Sequence, residues 1–385
     1  MKHVWAYLIK WTLIVLYQLI KLVTRVDPHK IVFLGRRMNK VPLDFKLLTE
    51  ELQQREPGIK ATVLSSRYLG GLRESVEFAP TLLKSLYHLA TSKVCVLDSY
   101  WPAVSMLPHR EDLVVYQLWH SLGKIKQSGL QTLGRAQGRD FKTADVMQMH
   151  QGYDYVLAGA EIWNPNYIES FGVEESQLLN YGLPRADYLV NQRHNIAARI
   201  KEKYPALAEK PVILYAPTFR RGIDAEGALR LAEAIDSEQY NLVIKMHGSD
   251  SLIMPDGGHV PVPDFSATDL LTIADYLITD YSSIALEAAI LDVNTFYYVY
   301  DREEYLRHNG LNIDLDIEMP GCVFESLDEL KHALSIPYPT RTLRAYKQKF
   351  IIDDLGHSTA DLADHILTVG ELCPRQFELL STAQN

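Results

Sequence analysis

The stretch QLWHSLGKIKQSG, Gln117–Gly129, sets a histidine, two serines and two lysines among glycines directly after an apolar run. A neutral imidazole there is a base poised near neutrality, so His120 can take a proton from a hydroxyl. Lys124 and Lys126 offer charge to a phosphate. The plainer alternative is a histidine bonded within a turn beside two solvated lysines. A second constellation joins YAPTFRR, Tyr215–Arg221, to KMHGSD, Lys245–Asp250. Proline removes a ladder donor, so the run before it must turn outward and present Thr218 and Arg220 in a loop. The following run delivers Lys245 and His247. Arginine and lysine on neighbouring strand ends suit a diphosphate clamp, with ordinary surface charge as the alternative. The third is ADYLITDYSSIALEAA, Ala274–Ala289. Asp280 can cap the turn, and Ser282 and Ser283 open a helix whose free N–H groups suit a phosphate. Glu287, one turn in, can accept from ribose hydroxyls. The alternative is an N-cap followed by an exposed glutamate.

These residues need strand ends to hold them. Lys30–Gly35, Ala61–Ser66, Lys93–Asp98, Val114–Leu118 and Tyr155–Ala158 read as short strands without alternation, and Asp44–Arg55 as a helix between the first two. Such runs predict a parallel sheet covered on both faces. The series restarts with Pro211–Ala216, Asn241–Met246, Tyr276–Thr279 and Phe296–Val299, with helices at Gly227–Ile235 and Ser283–Leu291. The two series meet near Asn191–Leu207. Pro337–Leu367 opens with two prolines and then reads as helices that cross back to brace the first series. The expectation is an α/β chain of two Rossmann-like domains facing a cleft, with ligands gathered at the strand ends.

Composition narrows the classes. A net charge of -9 argues against a general nucleic-acid binder, and three scattered cysteines give neither a disulfide framework nor a zinc site. The chain has no GxGxxG after the first strand, no GxxxxGK[ST], no HExxH, no GxSxG and no CxxC. No metal motif and no cofactor are identified. Residues 1–40 hold eight Lys/Arg against the single acid Asp27. Within them VWAYLIKWTLIVLYQLIKLV, Val4–Val23, is long enough to span a bilayer, but a mid-segment lysine opposes this. His3, Lys10, Tyr17 and Lys21 fall on one helical stripe. We expect an amphipathic helix lying in the interface, lysines toward the headgroups and Trp5 and Trp11 at the boundary. A helix packed on its own protein is the alternative.

Taken in order, the motifs resemble the CDP-glycerol glycerophosphotransferase family, which primes or polymerises teichoic acids and has relatives using CDP-ribitol. The resemblance runs from roughly Lys30 to Leu367. It is carried by Gln117–Ser121 with Lys124, Tyr215–Arg220, Lys245–Gly248, Ala274–Ser283 and Tyr298–Tyr305. It departs from the family at Ser121 (usually Gly), Gly248 (usually Pro), Glu287 (usually Asp) and Asp353–Ser358, which lacks the usual arginine. The resemblance implies a glycosyltransferase-B-like fold; together with the N-terminal segment the expected division is 1–26, a membrane-associating helix; 27–195, an acceptor-side domain; and 196–337, a donor-binding domain. Bracing helices at 338–370 and a tail at 371–385 complete it. It implies catalytic roles for His120 and His247, and donor contacts from Thr218, Arg220, Lys245, Asp280, Ser282, Ser283 and Glu287. Lys124 and Lys126 would meet acceptor or phosphate. The implied reaction moves glycerol phosphate or ribitol phosphate from a CDP-linked donor to a prenyl-diphosphate-linked or glycolipid acceptor. This would happen at an anionic membrane surface on the cytoplasmic face, with the protein bound peripherally. A nucleotide-sugar transferase and a non-catalytic membrane scaffold are the competing readings.

Overall fold

A computed structural model describes residues 2–68, 70–136, 138–218, 226–246 and 258–372. Among the described residues eleven strands form two parallel sheets. The first comprises β1 (Lys30–Gly35), β2 (Lys60–Ser65), β3 (Val94–Leu97), β4 (Val114–Gln117), β5 (Tyr155–Leu157) and β6 (Leu178–Leu179), in the order β2-β1-β3-β4-β5-β6. The second comprises β7 (Val212–Tyr215), β8 (Asn241–Ile244), β9 (Tyr276–Thr279), β10 (Asn294–Tyr298) and β11 (Val323–Phe324), in the order β11-β10-β9-β7-β8. Parallel strands need crossovers, and helices on both faces explain why β1, β3 and β7 are buried along their whole length. Helix Leu43–Arg55 shows how the faces are covered. Its Asp44, Phe45, Leu48 and Leu52 point inward at helical spacing, and Phe45 meets Phe33 of β1.

Strand order reverses between β1 and β3 and again between β7 and β9. At such switch points the crossovers diverge and leave a crevice beyond the strand ends. The loops that follow β1, β3, β7 and β9 are therefore the places this topology opens to a ligand.

The halves interlock. Lys126 and Leu311 form an antiparallel bridge, Gln127 N donates to Gly310 O at 3.1 Å and Asn312 N donates to Ile125 O at 2.8 Å. Helix Pro184–Lys203 joins them, and its Asp187 carboxylate accepts from Gly356 N, Ser358 N and Thr359 N. Helix Thr340–Phe350 packs on the second half and, through Phe350 against Trp163, on the first, while helix Ser358–Val369 packs on the first. Segment Asp353–Ser358 is thus anchored through its backbone.

One expectation is corrected. Helix Lys2–Val23 turns its lysine stripe toward the protein, not toward headgroups. Lys10 Nζ donates to Val146 O at 3.2 Å and Gln148 Oε1 at 2.9 Å, Lys21 Nζ donates to Pro108 O at 2.8 Å, and Tyr17 is fully buried. The opposite face, with Trp11 63% and Leu22 80% exposed, carries Leu8, Ile9, Val15 and Leu19 outward. The physical reason is that backbone carbonyls and one amide at the ends of neighbouring segments give the two ammonium groups better partners than bare apolar surface would. Among the described residues no helix is long and apolar enough to cross a membrane.

Candidate functional site

His120 is built by the end of β4. The buried Gln117 side chain donates from Nε2 to Ser99 O at 3.2 Å and accepts from Trp119 N at 2.9 Å through Oε1. That clamp holds Trp119 at φ 60, a left-handed conformation rare for a bulky residue, and swings the next side chain back over the sheet. His120 Nδ1 lies 2.9 Å from Asp98 O. A carbonyl only accepts, so Nδ1 carries the proton and Nε2 keeps the lone pair. The Trp119 ring lies over the imidazole with centroids 4.0 Å apart. Burial first, then the charge of Arg37, presses the His120 pKa well below the usual histidine value, with Lys124 and Arg185 acting in the same direction. The result is a half-buried, neutral imidazole with its accepting nitrogen fixed.

The two lysines part company. Lys124, expected to meet phosphate, is 2% exposed and sits between the rings of Trp119 (4.5 Å), Phe171 (4.5 Å) and Tyr167 (5.2 Å). Its Nζ donates to Ser128 Oγ, and burial pushes its pKa far down. It braces Trp119, and through it the imidazole. Lys126 reaches across to the second half, donating to Thr218 Oγ1 at 3.5 Å. Ser121 is buried and donates to Gly123 O at 2.6 Å. A Cβ at Gly123 would stand 2.4 Å from the Trp163 ring, so glycine is required there.

On the second sheet, Asp280 follows β9 and is buried. Its Oδ1 accepts from Thr218 N at 2.7 Å and Tyr281 N at 2.6 Å, tying the ends of β7 and β9 together across the switch point. Asp280 thus organises the two loops by backbone contacts. Ser282 and Ser283 stand half-buried before the helix Ile284–Ile290, whose N-cap is Ser283. Lys245 follows β8, its N–H donating to Tyr215 O at 2.8 Å. Glu287, which the plainer alternative would leave exposed, is buried. Its Oε1 accepts from Arg185 Nη1 at 3.1 Å and its Oε2 from Thr268 Oγ1 at 2.7 Å, so any ribose contact must share these oxygens. Arg220 and His247 lie outside the described residues.

The structure adds residues that motif reading passed over. Arg36 and Arg37, counted above as part of the basic N-terminal stretch, form the loop after β1. Arg36 N donates to Asp98 Oδ1 at 3.1 Å, and its guanidinium lies over Tyr68 (5.4 Å) and Tyr100 (5.6 Å). Burial lowers the Arg37 pKa to about 10. Arg185 opens helix Pro184–Lys203 and bonds Asp44 through Nε at 2.9 Å, and also through Nη2. Burial alone would lower its pKa, but Asp44 and Glu287 raise it. The available signal was position: each arginine comes within two residues after a strand or at the start of a helix.

Sequence and structure comparisons agree. The profile of the family described as CDP-Glycerol:Poly(glycerophosphate) glycerophosphotransferase matches residues 16–368. The chain is 30% identical over 369 residues to a teichoic acid ribitol-phosphate primase of Bacillus spizizenii, covering 91% of this chain and 94% of that protein. It is 27% identical over 340 residues to a teichoic acid glycerol-phosphate primase of Bacillus subtilis, covering 83% and 88%. Its fold is similar to that of the wall teichoic acid polymerase TagF, with TM-score 0.74, 19% identity and coverage of 96% of this chain and 98% of that one. A UDP-GlcNAc 2-epimerase of Methanocaldococcus jannaschii shares the fold more distantly, with TM-score 0.56, 14% identity and coverage of 90% and 99%. With the family profile spanning most of its length and a relative matched nearly end to end, the chain belongs to the CDP-glycerol:poly(glycerophosphate) glycerophosphotransferase family and is an enzyme of that family.

Proposed function

We propose that the chain transfers glycerol phosphate or ribitol phosphate from a CDP-linked donor to a hydroxyl of a lipid-linked, teichoic-acid-type acceptor. The acceptor oxygen attacks the phosphorus next to the polyol. That O–P bond forms, the P–O bond to CMP breaks, and His120 Nε2 takes the hydroxyl proton. The observation that carries this reading is the neutral, tautomer-fixed His120 at the end of the first sheet. Lys126, its neighbour in sequence, already touches Thr218 of the second sheet. Two Rossmann-like halves facing a cleft would then hold the acceptor on the His120 side and the donor on the other. Donor contacts are assigned to Thr218, Arg220, Lys245, Ser282, Ser283 and Glu287, with Asp280 shaping the loops and His247 serving the donor phosphate or the leaving group. The outward apolar face of helix Lys2–Val23 supports peripheral attachment at the cytoplasmic face of the membrane, where a lipid-linked acceptor resides.

A positioned general base contributes about 10²–10⁴-fold to rate. His120→Ala, checked for folding by circular dichroism, is expected to lose turnover on that scale while calorimetry finds donor affinity retained. Near-normal turnover in the variant would remove His120 from the mechanism.

A further inference from the structure

We infer that Asn312, in the second half, is a positioning residue that aims Lys126 of the first half at the diphosphate of the donor. The inference rests on the phosphotransfer reading and deepens it, because the resemblance leaves Lys126 between acceptor and phosphate. Asn312 takes three consecutive carbonyls of the segment that follows His120. Its N–H donates to Ile125 O at 2.8 Å, and its Nδ2 donates to Lys124 O at 2.8 Å and to Lys126 O at 3.3 Å. Gln131 Nε2 donates to Asn312 Oδ1 at 2.8 Å and so fixes which way that amide faces. With its backbone held in this way, Lys126 places its Nζ 3.5 Å from Thr218 Oγ1, in the loop after β7.

The loop that carries Asn312 is anchored on the donor side. It follows helix Arg302–His308, whose Tyr305 stacks on Tyr281 with ring centroids 3.8 Å apart. Tyr281 lies between Asp280 and Ser282, and Asp280 Oδ1 accepts from Thr218 N at 2.7 Å. One end of the loop is thus packed on the donor residues, and the other is paired with the segment after the base. Gly310 turns the chain between them at φ 85, a conformation that strains any residue with a Cβ. Its carbonyl accepts from Gln127 N at 3.1 Å, Arg135 Nη1 donates to Asn309 O at 3.1 Å, and Lys126 and Leu311 form the antiparallel bridge.

A lysine ammonium is a point charge on a flexible stem, so where it acts depends on how its backbone is held. A displacement of about 1 Å near a reacting centre can cost about 10²-fold in rate. The pairing joins opposite halves, so Lys126 keeps its place only while they face each other, which is the arrangement the transfer needs. Its neighbour Thr218 is assigned to the donor, and that assigns Lys126 to the donor phosphates instead of the acceptor.

The test compares the unaltered full chain with Asn312→Ala, Lys126→Met and the double variant, each checked for folding by circular dichroism. Calorimetry with CDP reads the diphosphate contact without turnover, and donor kcat/KM reads it with turnover. Lys126→Met is expected to weaken CDP roughly ten- to a hundredfold, the range for one charge-assisted bond to phosphate. Asn312→Ala is expected to weaken CDP about tenfold while Lys126 is present, and to add nothing once Lys126→Met has been made. Donor kcat/KM should follow the same pattern. A residue that only staples the halves would not give it, because its loss would add to the loss of the lysine. Gly310→Ala disturbs the same loop through its backbone and serves in place of Asn312→Ala if that variant folds poorly. Losses that add in the double variant overturn the inference, as does CDP affinity unchanged in Asn312→Ala. If the unaltered protein moves no polyol phosphate yet shows the non-additive CDP pattern, the reaction reading fails and the positioning role stands. If it transfers polyol phosphate and the pattern is absent, the positioning role alone fails.

Discussion

The imidazole of His120 donates from Nδ1 to the Asp98 carbonyl, which leaves Nε2 as the nitrogen able to accept a proton. As the proposed base, His120 works only when neutral, and turnover is expected to fall as pH drops through its pKa. Burial, then Arg37, presses that pKa well below about 6.5, so the acid limb of kcat/KM is expected below the ordinary histidine range. Arg37→Gln removes a charge that disfavours imidazolium and should move the limb toward higher pH; a limb that stays in place would assign it to another group. The sequence singles out His120 because it directly follows an apolar run. It did not disclose the fate of Lys124, since the rings that enclose it include Tyr167 and Phe171, more than forty residues away and brought near by β5 and the helix Asn164–Phe171. Arg36 and Arg37 are visible in the sequence as charge, but their placement beside Asp98 depends on strand order, which no local pattern encodes.

Among the elements, strands buried on both faces were the most legible, because unbroken apolar runs mark them: β1 and β9 occupy the residues expected of them. The two-residue edge strands β6 and β11 went unforeseen, being too short to leave a pattern. Helix Lys2–Val23 was legible as amphipathic but not in its orientation, since periodicity defines a stripe without saying what the stripe meets. With Lys10 and Lys21 bonded inward, attachment is expected to come from the apolar face. Trp11→Lys together with Leu19→Lys should release the protein from vesicles, while replacing Lys10 should alter partitioning little. Flotation with neutral and anionic vesicles distinguishes these; equal partitioning of the double variant and the unaltered protein would contradict the assignment.

Across the whole molecule, the halves are joined by a buried ionic cluster as well as by the strand-end loops. Arg185 bonds Asp44 of the first half and Glu287 of the second, and all three are largely buried. Removing one partner of such a group leaves charge stranded, at about 3–5 kcal/mol. Arg185→Ala is therefore expected to lower unfolding free energy by about that amount in denaturant titrations, whereas a change under about 1 kcal/mol would show that the cluster is well solvated. The account as a whole stands on the identity of the group transferred. The most direct measurement offers CDP-glycerol, CDP-ribitol and a nucleotide-sugar, separately, to one prenyl-diphosphate-linked acceptor and weighs the product by mass spectrometry. A mass gain equal to one or more glycerol phosphate or ribitol phosphate units, with CMP released, is the predicted result; a gain equal to a sugar, or product from the nucleotide-sugar alone, would contradict it.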